Sequence, residues 1–255
     1  MTARAAAELF EIDWSRPWLA PWRQRGEVIA AQAAKGGLLD ALNAASDASV
    51  RVAAGRVRFV DPACQPAGEA YEAFVARTAC VPTRNNLHDF FNALVWMACP
   101  AWKRRLNELQ AGHIAHAGVA GTRGAVRDAL TLFDENAALL QAPPDLIDAL
   151  RARDWPTLFV ARREAWADAR ITLFGHALLE KLTQPRKAIT AHVWVLPEGA
   201  DMASMQSLHQ LTPERLANKP FLPLPVLGMP SWWPANEDAA FYADAAVFRR
   251  PRVRS

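Results

Sequence analysis

Two short stretches of the sequence carry histidine and acidic side chains at spacings that suit a chemical site. In RNNLHDFFNALVW, the neighbours His88 and Asp89 are followed by Asn92, and in LFGHALLEKL, His176 precedes Glu180 by four residues. Side chains three or four residues apart share one face of a helix. A histidine and a carboxylate at this spacing supply two metal ligands, or a base and the group that orients it.

The first stretch has the pattern of an amphipathic helix with an unusual polar face. An apolar stripe at helical spacing consists of Leu87, Phe90, Phe91, Leu94, Val95 and Ala98, with Asn85 or Asn86 available as N-cap and Pro100 ending the run. A face that only met water would favour Glu, Lys or Gln, which form helices better than His, Asp and Asn. The pattern therefore favours a polar site. A solvated face is the alternative, because Asp89 also suits the helix dipole.

Three further motifs give weaker evidence for a chemical site. Asp128 in RDALTLFDENAALL lies beside an apolar run and is kept as a candidate, whereas the acids of DEN are explained by a turn, either a hairpin or a helix end. His113 and His116 have a metal-like spacing but fall in a predicted glycine-rich loop without partners. Cys99 follows His88 by eleven residues, about 16 Å along a helix, which is too far for a Cys-His pair.

The candidate residues need elements to position them. Periodicity predicts helices over 27–42, over 68–78 and from Asp154 onward, with a break near 169–170 and a second helical stripe over 171–182. Strands are predicted in GRVRFVDP and AITAHVWVL, and a short helix in LTPERLAN. The expected fold is one α+β domain over 1–255, mostly helical, with a few short strands.

Both ends of the chain are rich in tryptophan and proline. WSRPWLAPWR predicts an N-terminal arm over 1–26 that is not a regular helix, and PFLPLPVLGMPSWWP predicts an extended, irregular C-terminal strap over 219–255. The strap is expected to pack on the domain, with membrane docking by its two tryptophans as the alternative.

Composition excludes several classes of protein. The 255 residues are 51% hydrophobic and 22% charged, and 29 basic residues nearly balance 26 acidic ones, which argues against nucleic acid as a partner. Basic residues cluster in the tail, at Arg249, Arg250, Arg252 and Arg254. No stretch of about 20 apolar residues is free of proline and charge, so we expect no transmembrane segment and a cytoplasmic protein. Three cysteines without a CxxC pair fit a reducing compartment and packing roles.

Four stretches resemble one bacterial family, domain of unknown function (DUF) 3025. They are RNNLHDFFNALVW, RDALTLFDEN, LFGHALLEKL and PLPVLGMPSWWPANEDAAFYADAAVFR, in that order, within residues 8–250. The resemblance implies a bacterial cytosolic protein and brings no established activity. Leu87 stands where an aromatic is usual, and Ala137 stands where glycine usually closes the acidic turn. The second departure puts a tight hairpin in doubt, because alanine tolerates positive φ poorly.

Two functions of different classes follow if the two histidine helices converge. In the first, the protein is a hydrolase acting on an unknown small molecule. His88, His176 and Glu180 then bind a divalent metal, or Glu180 orients His176 without one; Asp89 is the general base, Asn92 positions substrate and Asp128 adds a carboxylate. In the second, the protein is a non-catalytic scaffold whose polar groups form a structural network and whose ends bind a protein partner. An open cavity that reaches both histidines would favour the enzyme.

Overall fold

The structure is a computed structural model that describes residues 11–117, 124–200, 202 and 205–250. Helices dominate it. The α-helices are α1 (Ala20–Gly36), α2 (Leu38–Ala45), α3 (Tyr71–Thr78), α4 (Leu87–Ala98), α5 (Pro100–Ala117), α6 (Ala125–Asn136), α7 (Pro144–Ala152), α8 (His176–Lys181), α9 (Met205–His209) and α10 (Pro213–Ala217). The predicted α+β class with a helical majority is confirmed.

The strands are short and form three small sheets. They are β1 (Arg51–Val52), β2 (Gly55–Arg56), β3 (Arg58–Val60), β4 (Cys80–Pro82), β5 (Ala137–Gln141), β6 (Arg170–Leu173), β7 (Thr190–Val195) and β8 (Leu222–Pro225). The largest sheet has the order β6-β5-β7-β8, in which β5 and β7 are parallel and the two outer strands are antiparallel to their neighbours. Strand β5 is buried except at its last residue, as its run of small and apolar side chains predicts.

This sheet places two helix ends side by side. Helix α6 passes directly into β5, and α8 begins three residues after β6 ends at Leu173. Because β5 pairs with β6 at Ala138 and Leu173, the last turn of α6 lies next to the first turn of α8. The backbone nitrogens of Phe174 and Gly175 both donate to the carbonyl of Ala137, at 2.9 and 2.8 Å, and hold this junction together.

Aromatic side chains fill the core between the helices and this sheet. Trp102 of α5 stacks on Phe133 of α6 with ring centroids 5.6 Å apart, and Phe133 meets Phe174 and Trp194 edge to face. All four rings are almost completely buried. Such packing removes large apolar surfaces from water and fixes α5, α6 and the sheet relative to one another.

The two ends of the chain pack against the domain and against each other. The indole of Trp14 lies beside the rings of Phe90 and Phe91 on α4, and buried Trp18 lies 6.2 Å from Trp232 of the strap. Helix α1 nevertheless begins at Ala20, because proline is tolerated in a first helical turn, so the prediction of no regular helix is wrong for 20–26. Residues 1–10 of the predicted arm and 251–255 of the tail lie outside the described residues.

The structure corrects the predicted boundaries of several other elements. The helix predicted over 27–42 is divided at Gly37, whose φ of 97° ends α1. Helix α5 continues to Ala117, so the predicted loop position of His113 and His116 is wrong; the rest of that motif, 118–123, lies outside the described residues. The acidic DEN segment is a helix end and not a hairpin. Ala137 has a φ of −76°, which alanine adopts without strain.

The largest correction concerns the segment that begins at Asp154. A π-helical turn over Thr157–Ala161 and a 3-10 helix over Arg163–Asp168 precede β6, which contains Ile171. The helical stripe predicted over 171–182 is therefore wrong in its first half, and α8 begins only at His176. The four-residue spacing of His176 and Glu180 is nevertheless helical. Within the described residues, no helix is both long and apolar enough to cross a membrane.

Candidate active site

The start of α4 is fixed by a cap and an ion pair. The side chain of Asn86 accepts a hydrogen bond from the backbone nitrogen of Asp89 at 2.8 Å, which is one of the two predicted caps. The Asp89 carboxylate, 7% exposed, accepts three hydrogen bonds from Arg84: one from its backbone nitrogen at 2.6 Å and two from its guanidinium at 3.0 Å. With its oxygens held in this way, Asp89 anchors Arg84 and the loop before α4 and is poorly placed to act as a general base.

His176 is the first residue of α8 and lies against the end of α6. Its Nδ1 is 2.8 Å from the backbone oxygen of Asp134. A carbonyl only accepts, so Nδ1 carries the proton and Nε2 presents a lone pair. Glycine is needed at 175, because a Cβ there would lie 2.4 Å from the backbone oxygen of Glu135 and from the backbone nitrogen of Asn136. This close approach brings the imidazole to Asp134.

His176 is neutral over the physiological pH range. The side chain is 5% exposed, and burial lowers its pKa from 6.5 to about 4, although the nearby Asp134 carboxylate opposes this effect. An imidazole with such a low pKa keeps its lone pair available in acidic solution as well. The lone pair of His176 is therefore free at neutral pH, and the low pKa makes this imidazole a weaker base than an ordinary histidine.

The imidazoles of His88 and His176 meet through their Nε2 atoms, which are 3.1 Å apart with the ring planes at 77°. Since Nε2 of His176 accepts, Nε2 of His88 donates. On its other side, Nδ1 of His88 lies 2.9 Å from Oε2 of Glu180. A carboxylate only accepts, so a proton on Nδ1 of His88 makes a charge-assisted hydrogen bond to Glu180. The result is a hydrogen-bonded chain that runs from Glu180 through both rings to the carbonyl of Asp134.

A buried network supports this chain from below. The ammonium group of Lys103, 3% exposed, donates to the carboxylate of Asp134 at 2.6 Å and to the amide oxygen of Asn92 at 2.8 Å. The amide nitrogen of Asn92 donates to the hydroxyl of Tyr71 at 3.1 Å. Burial alone would raise the pKa of Asp134, but Lys103, followed by His176, outweighs it, and that pKa lies below its ordinary value. Burial raises the pKa of Tyr71 well above its ordinary value, so this hydroxyl keeps its proton.

An open cavity of about 410 Å³ reaches the histidine pair. His88 and His176 line it together with Tyr71, Asn92 and Asp134, and Arg84 and Asp89 contribute part of its wall. Helices α3 to α6 and α8 all contribute side chains. The volume is within the range of small-molecule sites.

The structure brings together most of the residues predicted from the sequence. His88, His176 and Glu180 meet, and Asp89 and Asn92 line the same cavity. Glu180 lies on the Nδ1 side of His88, away from the gap between the two Nε2 atoms. In the described part of the chain, no group of three or more His, Cys, Asp or Glu side chains is arranged to hold a metal ion.

Asp128 is the predicted site residue that does not reach the cavity. It is exposed in the first turn of α6, almost two turns before Asp134, and it does not line the cavity. Cys99 is also unsuited to chemistry, because burial raises the pKa of its thiol to about 12. Cys99 and Cys80 are buried free thiols, in agreement with the packing role predicted from the sequence, whereas Cys64 is exposed.

Sequence reasoning missed four residues of the site: Tyr71, Arg84, Lys103 and Asp134. Lys103 belongs to KRRLNELQ, where its basic neighbours indicate a solvated face. Asp134 follows buried Phe133 in the DEN segment, whose acids the sequence explains by a turn. Neither its lysine nor its histidine partner is close to it in sequence.

Comparison with known proteins identifies the family. A family model described as "Protein of unknown function (DUF3025)" matches residues 57–252, most of the chain, and the chain belongs to this family. The matched range contains both histidines, Glu180 and the supporting network. Neither the curated proteins nor the solved structures include a match.

Proposed function

We propose that this protein is a hydrolase in which His88 and His176 act as acid and base. The observation that carries the proposal is the 3.1 Å contact between their Nε2 atoms at the wall of an open cavity. One ring is held neutral by burial, and the other is paired with a carboxylate. Two titratable groups whose environments differ in this way are typical of acid–base catalysis.

The proposed reaction consumes one water molecule. One histidine accepts a proton and the other donates one. Nε2 of His176 accepts a proton from the water, whose oxygen attacks the electrophilic atom of the substrate. Nε2 of His88 gives its proton to the leaving group, so that the broken bond gains one hydrogen and one hydroxyl. The short contact between the two rings then returns the proton from His176 to His88, and the pair is ready for another turnover.

Neighbouring groups have supporting roles in this proposal. Glu180 accepts from Nδ1 of His88 and orients its ring, and the carbonyl of Asp134 keeps the lone pair of His176 on Nε2. Asn92 has one amide hydrogen beyond the one that it donates to Tyr71, and it lines the cavity, so it is suited to position substrate.

A metal-assisted variant is the second candidate, because one observation favours it. Both Nδ1 atoms are held by oxygen acceptors, and both Nε2 atoms point into the same gap. Histidines that bind a metal commonly have this arrangement. Only two side chains meet in the gap, however, so the metal-free mechanism requires fewer additional ligands.

Turnover of a substrate panel tests the proposal. Wild type, His88→Ala and His176→Ala are assayed with chromogenic carboxylic esters, anilides and phosphoesters, with exposed His116→Ala on α5 as the matched control. We expect hydrolysis of one bond class and a loss of about a hundredfold or more in either site variant, with the control unchanged. Equal turnover in all four proteins, or none of the bonds cleaved, would favour the scaffold.

Elemental analysis of the same untagged preparations separates the two mechanisms. Near-stoichiometric metal in wild type that is lost from both site variants supports the metal-assisted variant. Turnover that survives treatment with a chelator, in protein without metal, supports the metal-free one.

A further inference from the structure

Part of the cavity wall has no role in the proposed chemistry. It consists of Glu72 on α3, Gln110 on α5, and Thr131 and Glu135 on α6. Thr131 and Glu135 are four residues apart and share one face of α6. Three helices thus present oxygen-bearing side chains to the same space.

The charges of this wall are not balanced. Among the described residues, neither Glu72 nor Glu135 has an ion pair or a hydrogen bond to its side chain. The cationic groups next to the cavity are already engaged, because Arg84 pairs with Asp89 and Lys103 pairs with Asp134. Two carboxylates therefore face the cavity without a compensating cation.

Gln110 provides a second, independent observation. Its side chain is 7% exposed and lines the cavity, yet its carboxamide has no hydrogen-bond partner in the described ranges. Among the described residues, the polar atoms sealed in the interior without a partner do not include the Gln110 amide, which is therefore accessible from the cavity. An unpaired carboxamide that faces the cavity together with two unpaired carboxylates is suited to a ligand that supplies N–H donors.

We propose that the cavity binds a substrate with an organic cationic group, an ammonium or a guanidinium. Glu72 and Glu135 supply the opposite charge, and the amide oxygen of Gln110 accepts one N–H. Charge-assisted hydrogen bonds of this kind are stronger than neutral ones and fix orientation. This inference rests on the proposed function, since the cation anchors the molecule whose scissile bond meets the histidine pair.

An inorganic divalent cation is a poorer fit to the same groups. The wall offers two carboxylates from different helices, and the described residues contain no arrangement of three or more metal-ligating side chains. Calcium usually takes six to eight oxygen ligands. An organic cation needs only the two charges and the carboxamide.

Binding of two matched probes tests the inference without turnover. Butylguanidine is cationic and butylurea is a neutral molecule of almost the same shape; calorimetry and ligand-observed NMR give their affinities for the full chain. We expect butylguanidine to bind at least about tenfold more tightly. The double variant Glu72→Gln/Glu135→Gln should remove this preference, and Gln110→Met should reduce it severalfold. Exposed Glu108→Gln/Glu164→Gln, with the same change in net charge, should keep it.

Thermal unfolding of each variant shows that the fold persists, and near-isosteric glutamines at partly exposed positions should preserve it. Equal affinity for the two probes, binding of neither probe, or an unchanged preference in Glu72→Gln/Glu135→Gln would overturn the inference. Displacement of butylguanidine by magnesium or calcium at equimolar concentration would also overturn it, in favour of an inorganic ion. The same titration on His88→Ala should give the wild-type preference. A cation site without hydrolysis would thus reject the proposed function alone, and hydrolysis without cation preference would reject this inference alone.

Discussion

The Asn236 cluster beneath the C-terminal strap and the His88–His176 cluster beside the cavity are both made of polar side chains inside the protein. Asn236 is 0% exposed, and its amide nitrogen donates to the carbonyls of Leu227 and Met229 at 2.8 and 2.6 Å. Its side-chain oxygen accepts from the guanidinium of Arg163, and the hydroxyl of Tyr242 donates to the carbonyl of Gly228 at 3.0 Å. Each of these side chains has partners within the protein.

The histidine cluster differs from the Asn236 cluster in two ways: solvent reaches it, and its groups can exchange a proton. Its inner part, with Lys103 and Asn92, is as well satisfied as the Asn236 cluster. Its outer part opens onto the cavity, where two ring nitrogens share one proton. The comparison teaches that burial of polar groups does not by itself indicate function. Function is better indicated by polar groups that solvent can reach and that can still gain or lose a proton.

The largest effect on stability is expected in the inner, buried part of the histidine cluster. Lys103→Met removes the partner of the Asp134 carboxylate and leaves a charge without compensation, so we expect a loss of about 4 kcal/mol in the free energy of unfolding. Urea denaturation measures this change. The double variant Lys103→Met/Asp134→Leu should recover much of the loss, since it removes the stranded charge. A cost below about 1 kcal/mol would mean that water compensates Asp134.

A slightly smaller loss is expected in the Asn236 cluster. Asn236→Ala removes two hydrogen bonds to buried carbonyls and one from the guanidinium of Arg163, which should cost about 3 kcal/mol in urea denaturation. Exposed Asn218→Ala is the control and should change stability by less than about 0.5 kcal/mol. Turnover per folded molecule should be unchanged in Asn236→Ala. A loss of turnover with the fold intact would contradict the structural role of this cluster.

The sequence predicts one of these clusters better than the other. The apolar stripe and the Asn86 cap define α4 correctly, and the four-residue spacing places His176 and Glu180 on one helix. Both features are local. The Asn236 cluster joins the strap to Arg163 across 73 positions in sequence, and no periodic pattern predicts such a contact.

The missing parts of the histidine cluster have the same explanation. The pairing of β5 with β6 brings Asp134 to His176, but residues 171–174 have the spacing of a helix continuing into α8. Tertiary pairing overrides this local pattern. For Lys103, the apolar contacts of α5 decide which of several basic residues is buried, and the sequence alone does not order them.

Acidification should reduce the contribution of the histidine cluster to stability and leave that of the Asn236 cluster unchanged. The pKa of His176 is about 4 in the folded protein against 6.5 for an unperturbed histidine, so the unfolded chain binds more protons in between. Stability should therefore fall by about 2 kcal/mol between about pH 7 and pH 4.5 through this residue. The lowered pKa of Asp134 acts in the same direction at still lower pH.

Urea denaturation across this pH range measures the slope. His176→Asn should flatten it, because the titrating group is gone. Asn236→Ala should reduce stability equally at every pH and keep the wild-type slope. Parallel curves for wild type and His176→Asn would show that another group causes the loss.

The smallest effect is expected at Glu180, whose side chain is 38% exposed. Glu180→Gln can still accept from Nδ1 of His88 but replaces a charge-assisted hydrogen bond with a weaker neutral one, so turnover should fall by about tenfold with little change in stability. Glu164→Gln is the control. Turnover equal to that of wild type would limit Glu180 to a packing role.

The proline-rich strand β8 has a consequence for self-association. It lies at one edge of the four-stranded sheet, and Val226, next after it, donates its backbone N–H to Ile189. Because N–H groups alternate in direction along a strand, those of Leu222 and Leu224 face β7 as well, and the outward positions fall on Pro223 and Pro225. Proline has no N–H to offer, so this edge lacks the donors that would recruit a strand from a second molecule.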